Sequence, residues 1–257
     1  MKIAASDYDG TLFCENRIAK EDADAVRAWR KAGHKFGVVS GRDYGMLMPQ
    51  LDYYGIGSDY AVCNNGALIC DAEGNILWQG DIPLKTLAEM VKLPEVRRSF
   101  HFAFSAADCT YLYHEREGSW ITREAREWDF KIVSMREEDI LKLPRIHQFC
   151  LGFTEPAEAD AVSSLLNDRF GDVIHAYPNR CSVDITPRDV SKRQGIASMT
   201  ELMGWQESEI YAIGDETNDL PMIEAFDGYT VDTARSEIKK RARKVYAGVG
   251  AMLADNM

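Results

Sequence analysis

Short apolar runs alternate with amphipathic stretches through the first third of the chain. Ile3-Ala4-Ala5 reads as a first strand that delivers Asp7-Tyr8-Asp9-Gly10-Thr11, and residues 12–18 read as a short hairpin or flap. Residues 20–32 are helical in period, with Ala25, Val26 and Trp29 on one face and Gly33 as the stop. Residues 35–39 predict a buried strand ending at Ser40, residues 44–51 a helix, and residues 60–63 a third strand closed by Asn64-Asn65-Gly66. Residues 67–70 and 76–78 flank a glycine-containing loop, 71–75, as a hairpin does. Strands that alternate with helices at this spacing predict an α/β fold with a mostly parallel sheet.

The pattern changes near Pro83. From there to about Ile185, strands are expected at 100–104, 110–113, 146–153, 173–176 and 182–185. One amphipathic helix, 157–170, carries Ala161, Val162, Leu165 and Leu166 as its apolar stripe. This is an α+β mixture. The earlier alternation then resumes, with a helix from about Ser191 to Met203, a strand over 209–213, and helices over 220–225 and 236–243. The chain therefore predicts a discontinuous α/β core of residues 1–82 and 186–257, interrupted by an α+β insertion of residues 83–185.

Composition narrows the picture. A chain of 257 residues can bury roughly 70–75% of its unfolded surface, so it needs no covalent staples. The net charge of −11 opposes nucleic-acid backbones and anionic membranes. It also means that any phosphate ligand must be drawn by local positive charge. The six cysteines form no Cys-x-x-Cys pair and no zinc spacing, and several sit inside apolar runs as buried thiols do. Asp7 and Asp9 interrupt any apolar leader segment, and no apolar run approaches 18 residues. The expectation is a cytoplasmic enzyme without nucleic-acid or membrane partners, either a monomer or a homodimer.

The chemistry-bearing residues fall outside the insertion, each directly or closely after an apolar run. They are Asp7-Tyr8-Asp9-Gly10-Thr11, Ser40-Gly41-Arg42, Ser191-Lys192 and Gly214-Asp215-Glu216-Thr217-Asn218-Asp219. Carboxylates just past strand ends lie where open α/β sheets place ligands. Singly, each piece has a plainer reading. Asp-x-Asp-Gly occurs in turns, Asn218-Asp219 can cap a helix, and a lone lysine is usually solvated. Their fixed order argues against that.

Together the four pieces resemble the haloacid dehalogenase superfamily, specifically its Cof-type phosphatases, and the resemblance covers nearly the whole chain. Asn64-Asn65-Gly66-Ala67 and the hairpin after it are similar to the same subgroup. The resemblance implies a Rossmann-like core with an inserted cap that sets specificity. It also implies a Mg²⁺-dependent phosphatase of small phosphorylated metabolites, sugar phosphates among them. It gives Asp7 the role of nucleophile, Asp9 that of general acid and base, and Lys192 that of a charge on the phosphoryl oxygens. It places Asn218 near the metal or the phosphate. From the residues themselves, the Ser40 hydroxyl and the amides beyond it, Gly41 included, are candidates to line a phosphate cradle, and Arg42 is a candidate substrate contact with Asp43 as an equally good neighbour. Asp7, the Asp9 carbonyl and Asp215 would hold Mg²⁺, with Asp219 supporting, an oxygen set suited to a hard cation. Retention of Asp9 disfavours dehalogenation, because that acid serves an oxygen leaving group. A sugar phosphomutase and a non-catalytic phosphate-binding regulator are the alternatives. In the insertion, Arg145, His147, His175 and Arg180 are candidate specificity residues for which a strand-face role is the plainer reading. Tyr111, Tyr113 and Trp120 read as insertion core.

Overall fold

The computed structural model describes residues 1–116 and 119–257. The chain forms two compact units. The first comprises Met1–Ser40, Leu51–Trp78 and Ser191–Met257; the second comprises Gly41–Gln50 and Gln79–Val190.

The first unit is built on an eight-stranded sheet. Its strands lie in the order Lys244–Tyr246, Tyr229–Val231, Glu209–Gly214, Lys2–Ser6, Lys35–Val39, Tyr60–Cys63, Leu68–Asp71 and Ile76–Gln79. The first six run parallel, and Leu68–Asp71 turns back antiparallel. The near-continuous apolar runs have a physical reason: a parallel strand is covered on both faces. Ile3, Ala5, Val39 and Val62 pack with Ile196 and Met199 of the helix Lys192–Leu202 and with Met222 of Leu220–Ala225. The helix Lys20–Lys31 lies against Lys35–Val39 and Val249–Asp255.

Local chemistry sets the element ends. The helix Lys20–Lys31 stops before Gly33, whose φ of +87° suits glycine. Its buried stripe is Ala23, Val26 and Trp29; Ala25, expected on that face, is half-buried because it lies about 100° around the helix from Val26. The flap is a real hairpin, Phe13–Cys14 with Arg17–Ile18. Its turn residues Glu15 and Asn16 both have positive φ, as a type I′ turn requires. The helix expected over 236–243 shortens to Ser236–Lys239, and Lys244–Tyr246 follows as an edge strand. Beyond Ile238, the run Lys239-Lys240-Arg241-Ala242-Arg243 has no apolar face to bury.

The second unit carries a six-stranded sheet ordered Ile132–Ser134, Thr110–Tyr113, Phe102–Ser105, Gln148–Gly152, Ser182–Pro187 and Ile174–Asn179. It is antiparallel except between its first two strands. The helix Pro156–Phe170 packs on the last two strands through Ala159, Val162, Ser163 and Leu166. Ala161 and Leu165, expected on that stripe, are exposed and half-buried. Ser163 replaces them because its hydroxyl donates to the Ala176 carbonyl at 2.8 Å, which lets a polar side chain face the sheet. The helices Leu84–Met90 and Trp120–Trp128 complete the unit. Tyr111 and Tyr113 pack on the main core of this unit, and Trp120 on a second cluster with Met46, Leu112 and Phe130. No helix among the described residues is long and apolar enough to cross a membrane.

Residues 41–50 join this second unit through polar contacts. The Gly41 carbonyl accepts from Gln148 Nε2 at 2.9 Å, and Arg42 pairs with Glu124 at 2.5 Å. Asp43 is buried, accepting from the Met46 amide and the Thr110 hydroxyl, both at 2.8 Å. Burial dominates and lifts the Asp43 carboxyl to about 6, against the weaker opposing pull of those hydrogen bonds and of Arg42. A folded pKa above the unfolded one contributes stability that is complete below about pH 4 and is lost as pH rises through about 6. Asp43→Asn is therefore expected to flatten the fall of unfolding free energy between pH 4 and 7.5, by up to ~3 kcal/mol. Urea titrations of both proteins across that range check this, and parallel pH profiles would remove Asp43 as the source.

Candidate active site

Three neighbouring parallel strands end at the chemistry. Asp7 follows Lys2–Ser6, Ser40 follows Lys35–Val39, and Asp215 follows Glu209–Gly214. The central strand continues to Lys35–Val39 on one side and pairs with Glu209–Gly214 on the other. That is the switch point at which open α/β sheets form their ligand crevice.

Beyond Ser6 the chain turns tightly. The Tyr8 carbonyl accepts from the amides of Thr11, Leu12 and Phe13, and the Tyr8 ring stacks on Phe13 at 5.2 Å. Gly10 has a φ of +89°, and a Cβ there would collide with the Asp215 carboxylate. Glycine is thus required both by the turn and by the approach of Asp215. Asp7 is buried and Asp9 is exposed.

Lys192 is the first residue of its helix, with the Ser191 hydroxyl accepting from the Gln194 amide as the N-cap. The Lys192 ammonium is buried and donates to Asp7 Oδ1 and Asp219 Oδ1, both at 2.5 Å. Asp219 is fully buried, and its other oxygen accepts from the Asp215 and Glu216 amides at 2.9 and 3.0 Å. Both Asp219 oxygens are therefore engaged by protein donors. Asp215 Oδ1 accepts from the Thr11 hydroxyl at 2.8 Å. Ligand oxygens of Asp7, Asp215 and Asp219 all lie within 4.8 Å of one another.

Three carboxylates around one ammonium leave excess negative charge. Burial, then the Asp219 charge, push the Asp7 carboxyl well above its ordinary range, with Lys192 only partly opposing them. Burial and then Asp219 likewise lift Asp215 to about 6. Burial works against the Lys192 ammonium, but Asp219 and Asp7 outweigh it and hold its pKa above the usual lysine range. An all-oxygen cluster that is short of positive charge fits a hard divalent cation. Asp7 and Asp215 are the carboxylates best placed to take one, while Asp219 orients Lys192 and the Asp215 backbone.

Ser40 is buried, its amide donating to the Val62 carbonyl at 2.8 Å. Asn218 is buried and donates through Nδ2 to Asn65 Oδ1 at 3.0 Å. Gly41 and Arg42 group with the second unit, in the contacts given above. There His147 Nδ1 sits 2.7 Å from the Gly80 carbonyl, the His175 ring packs on Tyr177 at 4.0 Å, and Arg145 lies 3.8 Å from Asp81. Arg180 has positive φ in the turn between the last two strands. These contacts accord with structural roles.

Two contacts had no role assigned from sequence. Thr11 stands in the same motif as Asp7, and its position two residues past Asp9 is the signal that could have found it. Asn65 was visible only as a turn residue. Gly195 also gains a reason: a Cβ there would collide with Val62 Cγ1 and come within 3.0 Å of Gly66 Cα. Glycine lets the Lys192 helix close on the Asn64–Gly66 turn.

The chain matches the haloacid dehalogenase-like hydrolase family over residues 4–248. An HMP-PP phosphatase from Yersinia pseudotuberculosis is 23% identical over 232 residues, covering 86% of this chain and 80% of that protein. A haloacid dehalogenase-like hydrolase from B. subtilis superposes with a TM-score of 0.86 at 20% identity, over 100% of both chains. A sugar phosphatase of haloacid dehalogenase subclass IIB gives 0.78 at 21% identity, over 100% of this chain and 98% of its own. Most of this chain matches the family, its fold is shared across full length, and its buried acidic cluster lies at the sheet's switch point: the chain belongs to the haloacid dehalogenase-like hydrolases.

Proposed function

We propose that this hydrolase is a Mg²⁺-dependent phosphatase of small phosphorylated metabolites, sugar phosphates among them, working through an aspartyl phosphate on Asp7. The observation that carries the reading is the Lys192 ammonium, shared at 2.5 Å between Asp7 and Asp219, with Asp215 in the same cluster. Phosphatase relatives support it.

Asp7 attacks phosphorus. An O–P bond forms as the P–O bond to the leaving group breaks, and Asp9 gives its proton to the departing oxygen. Asp9 then takes a proton from water, which attacks the same phosphorus. The Asp7–phosphate bond breaks, and inorganic phosphate and free Asp7 result. Exposure of Asp9 suits a group that must exchange protons with solvent and substrate. Lys192 neutralises the carboxylate cluster and balances charge on the phosphoryl oxygens. Ser40 and Asn218 are the phosphate-binding donors, with Gly41 and Arg42 as further candidates. Asp7, the Asp9 carbonyl and Asp215 would hold Mg²⁺, which would supply charge neutralisation for the phosphoryl group when bound. Residues 83–185 keep the family's cap role, the choice of substrate.

A panel of phosphorylated metabolites with Mg²⁺ tests the reading, with release of free phosphate as the expected result. Conversion of a sugar 1-phosphate to a 6-phosphate without free phosphate would identify a mutase instead. Lys192→Ala is expected to lower kcat by about 10²–10³, the scale for one lost electrostatic donor. Steady-state kinetics check this; a change confined to KM would limit Lys192 to ground-state binding.

A further inference from the structure

The Asn64–Gly66 turn touches several parts of the site without a role of its own in the reaction above. Asn64 and Asn65 are both fully buried, and both adopt left-handed backbone, with φ of 52° and 54°. Consecutive left-handed residues that carry side chains are strained, and such strain persists where the surroundings over-determine it. The turn is tied on three sides. The Asn65 amide donates to the Ser40 carbonyl at 2.9 Å. Gly66 packs against Gly195 of the Lys192 helix. Asn65 Oδ1 accepts from Asn218 Nδ2 at 3.0 Å, across 153 positions of sequence.

We propose that Asn65 is a positioning residue, whose side-chain carbonyl fixes the orientation of the Asn218 carboxamide for phosphate binding. The inference rests on the phosphatase reading of this site. The terminal torsion of an asparagine is broad and roughly two-fold, so a carboxamide needs a neighbour to settle which end faces which way. The Asn65 oxygen selects the nitrogen end of Asn218. The remaining N–H and the carbonyl of Asn218 are then turned elsewhere in a defined manner, and the buried setting makes that choice strict. The turn itself does not need a carboxamide at this position. Glycine meets a φ of 54° without strain, so the side chain of Asn65 serves its contacts rather than its own backbone.

The same observation makes Asn65→Gly a clean test, since it removes the side chain and relaxes the backbone. A double-mutant cycle with Asn218→Ala reads coupling between the two residues. The two readouts are kcat/KM for para-nitrophenyl phosphate and the Kd of inorganic phosphate by calorimetry, both with Mg²⁺. Asn65→Gly is expected to lower kcat/KM by about tenfold, mainly through KM, and to weaken phosphate affinity similarly, with the melting temperature within a few degrees of wild type. In the Asn218→Ala background the same change is expected to add less than about twofold. Wild-type affinity in Asn65→Gly, or effects that multiply in the double variant, would overturn the proposal. Phosphate binding by wild type without ester hydrolysis would sink the phosphatase reading alone, and the affinity cycle would still decide the role of Asn65. A wild-type protein that binds no phosphate overturns both.

Discussion

Asp7→Asn is expected to reduce turnover by about 10⁴-fold or more while the protein stays folded. An amide is a poor nucleophile at phosphorus, and no other group in the cluster can replace it. The Asp219 oxygens are held by Lys192 and by two backbone amides, and Asp215 is bound by Thr11. The fold has little reason to suffer. Asp7 carries its charge against burial and against Asp219, which is why its carboxyl sits well above the ordinary range. A neutral isostere removes that conflict, and Lys192 keeps Asp219 as its partner. The melting temperature in metal-free buffer is accordingly expected at or above that of wild type. Stopped assays over long incubation, paired with thermal denaturation, check both halves. A variant with near-normal rates would remove the covalent assignment, and one that is inactive because it is unfolded would contradict the electrostatic argument.

Removal of divalent cations is expected to abolish phosphatase activity, and Mg²⁺ to restore it. The buried cluster holds Asp7, Asp215 and Asp219 against one ammonium, and the raised Asp215 and Asp7 carboxyls record that imbalance. A hard dication corrects it and is drawn by oxygen ligands alone. The cation should also stabilise the fold, because the unfolded chain has no assembled site. At 100 times its Kd the gain is about 2.7 kcal/mol. Mg²⁺ titration should therefore raise the melting temperature of wild type and have a much smaller effect on Asp215→Asn. Full activity after exhaustive chelation would defeat the metal assignment.

Much of the first unit was legible because parallel strands buried on both faces write themselves as apolar runs, as Lys35–Val39 and Tyr60–Cys63 do. Strand ends were readable for the same reason, and with them the positions of Asp7, Ser40 and Asp215. Amphipathic faces were less so. Ala25 and Ala161 are small and fit either side of a helix, and only packing showed that Ala23 and Ser163 take the buried places. The three-residue strands Tyr229–Val231 and, at the sheet edge, Lys244–Tyr246 are too short for a period to emerge, and their sheet neighbours define them.

The sequence by itself determined the order of the elements and which residue types stand at the strand ends, since hydrophobic period and turn chemistry are local properties. Only the tertiary structure decided which of those residues meet. Lys192 reaches Asp7 across 185 positions and Asp219 across 27, and Asn218 reaches Asn65 across 153. Nothing in a local window encodes such contacts. They follow from the strand order of the sheet, which sets Lys2–Ser6 between Glu209–Gly214 and Lys35–Val39, and from small residues such as Gly10 and Gly195 that let loops and helices close to contact distance. The grouping of residues 41–50 with the second unit is of the same kind: a buried Asp43 and the Arg42–Glu124 pair bind that segment to partners far along the chain.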